Sequence, residues 1–89
     1  MANHESALKR ARQSEQRRLK NIGYKTRVKH AVKEVRTAVT NHSTDQAKEN
    51  LKKAVSIIQK TSSKGIIHKK KASRKISRLT RQVNRLTAA

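Results

Sequence analysis

The chain has 89 residues and carries 24 Lys and Arg against 5 Asp and Glu, for a net charge of +19. Only 33% of its residues are hydrophobic and a single one, Tyr24, is aromatic. That is enough for one thin seam between helices, and it excludes a deep core around an enclosed substrate pocket. Cysteine is absent, which rules out disulfides and thiolate metal sites and fits a reducing compartment.

With no Pro and two Gly, the chain has little to break helices. The pattern predicts an all-α, three-helix bundle in which the first helix is long and its N-terminal half projects beyond the bundle. The first helix is expected over roughly 4–40. Val28, Ala31, Val32, Val35 and Val39 form one apolar stripe in its second half. Upstream, Leu8, Ala11, Leu19 and Ile22 form a second stripe that points elsewhere on a straight helix. The phase changes near Gly23, so the helix either bends there or offers its first half to a different partner. At ~1.5 Å per residue it would run ~55 Å, far longer than the ~30 Å of the other two.

Thr40-Asn41-His42-Ser43-Thr44 reads as a loop. Ser43 followed by Gln46 fits a capping box that opens a second helix over 44–63, and Asp45 suits the positive end of its dipole. Ala47, Leu51, Ala54, Val55 and Ile58 recur there at helical spacing. Thr61-Ser62-Ser63-Lys64-Gly65 is the second break, with Gly65 placed to end the helix in a left-handed conformation. The third helix, over 68–87, carries Ala72, Ile76, Leu79, Val83 and Leu86 in alternating steps of four and three, the rhythm of a packed seam. The expected seam is Val28, Val32, Val35, Leu51, Val55, Ile58, Ile76, Leu79 and Val83. The whole chain, 1–89, is read as one domain: a basic extension over 1–24 and a bundle over 25–87.

Charge is uneven along the chain. Residues 1–36 hold 11 basic and 3 acidic groups, residues 37–60 hold 4 and 2, and residues 61–89 hold 9 and none. On the third helix, Lys70, Lys71, Arg74, Arg78, Arg81 and Arg85 fall within ~100° of the circumference, opposite the apolar stripe. Like charges at this spacing repel. Solvated faces normally mix both signs, so an acid-free arc points to a polyanion. On the first helix, Lys25, Lys29, Lys33 and Arg36 line one face of the packed half. Lys9, Arg10, Arg12, Arg17, Arg18 and Lys20 point all round the projecting half, as suits a partner that surrounds the helix.

Other chemistries lack their residues. One aromatic cannot build a base-stacking platform. His4, His30, His42 and His68 are scattered, so no metal and no cofactor is expected. The acids form no general acid/base pair and no Ser or Thr sits in a nucleophile motif, which argues against an enzyme or a small-molecule substrate. Glu5 with Lys9 and Glu49 with Lys53 read as i,i+4 pairs supporting helices. No apolar run approaches the ~20 residues of a membrane-spanning helix, and the opening Met1-Ala2-Asn3-His4-Glu5 lacks the apolar stretch of a signal peptide. The expected contacts are therefore phosphates and 2′-hydroxyls of structured RNA.

Met1-Ala2-Asn3 with Ser6-Ala7-Leu8-Lys9-Arg10, and above all Lys64-Gly65-Ile66-Ile67-His68-Lys69-Lys70-Lys71-Ala72-Ser73-Arg74-Lys75 followed by Leu79-Thr80, resemble the S-twenty family of bacterial-type small-subunit ribosomal proteins. The similarity spans essentially the whole chain. It implies a three-helix bundle with a long first helix. It also implies direct binding to small-subunit ribosomal RNA at the bottom of the body, early in assembly, against the five-prime domain and the long penultimate stem. The match implies that Lys64, His68, Lys69 and Lys71 contact RNA, with Gly65 as the turn; where this chain has Lys70 the family often has Asn. The expected role is a structural constituent of the subunit in the cytoplasm, or in the plastid stroma for a plastid-encoded chain, with other small-subunit components as further partners. A nucleoid-type DNA-binding protein is the alternative that shares the charge.

Overall fold

The computed structural model describes residues 2–88. Three helices follow one another: α1 (Ala2–Thr40), α2 (Thr44–Ser63) and α3 (Lys69–Ala88). No strand occurs among the described residues. The boundaries expected from sequence hold to within two residues. The chain runs up, down and up, because connections of three and five residues force neighbouring helices to turn back on themselves.

Both connections end the preceding helix by the same hydrogen-bonded device. After α2, the Gly65 N–H donates to Ser62 O at 2.9 Å and the Ile66 N–H donates to Thr61 O at 3.2 Å. This is a Schellman motif, with Gly65 at φ +78° in the left-handed position as expected. After α1, the His42 N–H donates to Val39 O at 3.1 Å and the Ser43 N–H donates to Ala38 O at 3.0 Å. Here the left-handed position falls on His42, at φ +57°, where a Cβ makes the conformation costly. The capping box does not form: Ser43 occupies the N-cap of α2 but makes no side-chain cap hydrogen bond.

The seam is narrow and rich in alanine. Val28, Ala31, Val35, Ala38, Ala47, Ala54, Ile58, Ala72, Leu79 and Val83 are buried, and Val32, Leu51 and Ile76 pack partly buried against them. Small side chains let the helix axes approach, so a chain with few large apolar residues still closes its interior. Val55 is a correction. It is half-buried and outside this cluster, while its neighbour Ala54 is fully buried. Thr61 is also fully buried; its hydroxyl donates to Ile57 O at 2.7 Å, which removes the penalty of an unpaired polar group. The Asn50 amide donates to Glu34 O at 3.4 Å and ties α2 to α1 in antiparallel register.

The first half of α1 leaves the bundle. Helix runs unbroken through Gly23, so the change of stripe does not interrupt α1. Residues 4–20 are all exposed, and Leu8, Leu19 and Ile22 are 54%, 57% and 47% exposed. The molecule measures 68 × 22 × 14 Å, with a radius of gyration of 17.9 Å. A compact chain of this length would have ~12 Å. Glu15 and Arg18 form an exposed ion pair at 3.0 Å, as do Glu49 and Lys53 at 3.8 Å. The expected Glu5–Lys9 pair is not among the ion pairs of the described residues. Such surface pairs contribute ~0–1 kcal/mol each, so the projecting segment is held by its own backbone hydrogen bonds.

Candidate nucleic-acid interface

Packing brings together two basic faces that lie far apart in sequence. After the α2–α3 turn, α3 runs alongside the second half of α1 and leaves an open groove of about 960 Å³ between them. Lys25, Lys29, Lys33 and Arg36 of α1 line one wall, and His68, Lys71 and Lys75 line the other. A smaller recess of about 300 Å³ continues along α3, lined by Arg36, Lys71, Arg74, Lys75 and Arg78. No Asp or Glu lines either one. Val28, Val32 and Ile67 supply apolar surface to the larger groove, with Ile22 and Ile66 beside them. Eight Lys and Arg side chains thus face one trough without a counter-charge, where repulsion is relieved by an anion that follows the trough.

The start of α3 breaks the usual rule for helix charge. Its first turn has no acid, and Lys69, Lys70 and Lys71 sit at the positive end of the helix dipole. Each cation there costs ~0.3–1 kcal/mol when exposed. His68 caps this end: its Nδ1 accepts the Lys70 backbone N–H at 3.2 Å. That hydrogen bond assigns the ring proton to Nε2, leaving the Nε2–H as a donor on a residue that lines the groove. Local conflicts of this kind collect at functional sites.

The remaining sequence-derived residues are placed as follows. Lys69, Lys70, Arg81 and Arg85 are exposed on α3 but line neither groove. Lys9, Arg10, Arg12, Arg17, Arg18 and Lys20 are exposed on the projecting half of α1, with the Arg18 guanidinium already hydrogen-bonded to Glu15. Lys64 turns to Tyr24, with its Nζ 5.1 Å from the ring centroid and the Arg27 guanidinium at 5.4 Å. The Tyr24 hydroxyl is held below its ordinary pKa, first by the Lys64 side chain as a hydrogen-bond partner; burial opposes this, and the charges of Lys64, Lys60 and Arg27 add to the lowering. Sequence reasoning passed over Lys75. It sits at the edge of the basic arc, next to the apolar stripe, and that flank is the one facing α1. Among the described residues no group of His, Asp and Glu is arranged to hold a metal ion.

Comparison with known proteins decides the family. The family model described as ribosomal protein S20 matches residues 2–84. The chain belongs to the ribosomal protein S20 family. It is 52% identical over 86 residues to small ribosomal subunit protein bS20 of Syntrophobacter fumaroxidans, covering 97% of this chain and all of the relative. It is 54% identical over 88 residues to the protein of the same name from Desulfovibrio desulfuricans, covering 99% of each. The corresponding protein of Desulfotalea psychrophila is 51% identical over 89 residues, covering both chains completely. A member of the S20 family is a structural component of the ribosome and not an enzyme. The resemblance carried by the Lys64–Lys75 block therefore extends over the full chain.

Proposed function

We propose that this chain is a structural constituent of the small ribosomal subunit that binds small-subunit ribosomal RNA directly, working in the cytoplasm. The observation that carries the reading is the acid-free trough between α1 and α3, with Lys25, Lys29, Lys33 and Arg36 facing Lys71, Arg74, Lys75 and Arg78. Cations along both walls suit a sugar-phosphate backbone lying in the trough, where charge neutralisation supplies affinity and shape supplies selectivity. The names of the relatives supply the subunit. The segment 1–24 acts as a basic extension that inserts between RNA elements, and 25–87 acts as the bundle that docks on them. Lys64, Lys69, Lys70, Arg81, Arg85 and the cations of the extension add phosphate contacts around the trough. Binding of this kind ties separate RNA segments together and stabilises the body of the subunit early in its assembly. Among the described residues no helix is long and apolar enough to cross a membrane.

The test is binding to the five-prime domain of small-subunit ribosomal RNA in the presence of excess duplex DNA. Retention of the RNA complex is expected, and Arg36→Glu with Lys75→Glu should abolish it. Displacement by the excess DNA would overturn the RNA reading in favour of a general DNA-coating role.

A further inference from the structure

The trough is apolar as well as basic, and part of its apolar lining lies outside the buried seam. Val28 belongs to the buried seam, and Val32 and Ile67 pack against it. Ile22 is 47% exposed. Ile66, although half-buried, is not among the residues packed on the seam. Both line the larger groove beside Lys25, Lys29 and His68. Paired RNA presents phosphates and riboses to a protein and keeps its bases stacked inside, so a paired helix alone leaves this apolar surface unused. An unpaired nucleotide offers both chemistries at once, a flat apolar base and a charged phosphate.

We infer that the lower end of the α1–α3 groove takes one unpaired, extruded RNA nucleotide, with its base against Ile22 and Ile66 and its phosphates on Lys25, Lys29 and Lys71. The inference rests on the RNA-binding reading above and goes beyond it, because it assigns selectivity to side chains that carry no charge. Charge complementarity commits the site to RNA, since an apolar peptide would leave the cationic walls unmatched.

The experiment uses the full chain and two RNA duplexes of equal length, one fully paired and one with a single bulged 2-aminopurine at its centre. The wild type should favour the bulged duplex by ~10-fold, equivalent to ~1.4 kcal/mol, and 2-aminopurine fluorescence should change on binding. Ile22→Ser with Ile66→Ser should bring the preference to within ~2-fold while leaving the salt dependence unchanged, because phosphate contacts alone set that slope. Val55→Ser, on α2 and outside both the groove and the buried seam, should keep the preference, and circular dichroism should show all variants helical. Equal binding of both duplexes by the wild type, or a preference that survives in the double Ile variant, overturns the inference and leaves the RNA-binding reading intact. Failure to bind either duplex would overturn that reading itself. A dimer in sedimentation that dissolves in the Ile variant would assign the groove to a second copy, against the proposal.

Discussion

Replacing Lys71, Arg74 and Arg78 together by Gln removes three of the eight Lys and Arg side chains that line the trough. All three are exposed, and Gln matches them in helix propensity, so the seam and α3 itself are left alone. Each phosphate contact contributes ~0.7–0.9 to the slope of log affinity against log salt. Eight contacts give a slope of about −6 to −7 from the trough alone, and the variant should flatten it by about 2–3. Between 50 and 200 mM salt, the trough contacts should lower wild-type affinity by about 10⁴-fold and those left in the variant by about a few hundred-fold. Contacts made by the projecting half of α1 are common to both proteins and cancel in the difference. The assay is filter binding to the five-prime domain of small-subunit RNA at four salt concentrations. Circular dichroism should show the variant at least as helical as the wild type, because like-charge repulsion along α3 is reduced. An unchanged slope in a folded variant would refute the reasoning and place this face of α3 in solvent.

Other expectations follow from packing and backbone geometry. Leu79 is 2% exposed in the seam, so Leu79→Ala should lower stability by ~2–5 kcal/mol in chemical denaturation; a loss below ~1 kcal/mol would mean the seam is looser than drawn. Gly65→Ala meets no atom within 4 Å, so its cost should be purely that of the left-handed backbone, ~1–2 kcal/mol. His42→Gly should do the opposite and raise the melting temperature, since it relieves the same conformation in the other turn. Hydrogen exchange of the free protein should show fast amides over residues 4–20, which bury nothing against the bundle, and slow ones in the seam; strong protection of residues 8–20 would contradict this.

The parts of the fold that were legible in the sequence are those where one face does one job. In α3 the seam residues Leu79 and Val83 and the basic arc lie on opposite sides, so periodicity assigns both. Gly65 was legible because little else tolerates its φ. His42 was not, because an imidazole carries no preference strong enough to mark a left-handed position. Val55 and Ala54 show a second limit: both are apolar and adjacent, and only the approach of the helix axes decides that the smaller one enters the seam. The stripe of Leu8, Ala11, Leu19 and Ile22 was visible, but its exposure depends on α2 and α3 being too short to reach it. The trough was hidden in a different way. Each wall was legible as a basic face, yet their meeting depends on the register of α3 against α1, and Lys75 joins the site through that register alone.

Because the chain has no cysteine, a single introduced thiol provides a unique attachment point, and this gives the most direct test of the central claim that RNA occupies the α1–α3 trough. Thr37 lines the larger groove, whereas Ser56 is exposed on the side of α2 away from the seam. Each is changed to Cys in turn, tethered to an iron chelate and assembled with small-subunit ribosomal RNA, and hydroxyl-radical cuts are mapped on the RNA. Strong, localised cuts from Thr37→Cys and weak ones from Ser56→Cys are predicted. Cuts of equal strength from both positions, or cuts from Ser56→Cys alone, would contradict the account.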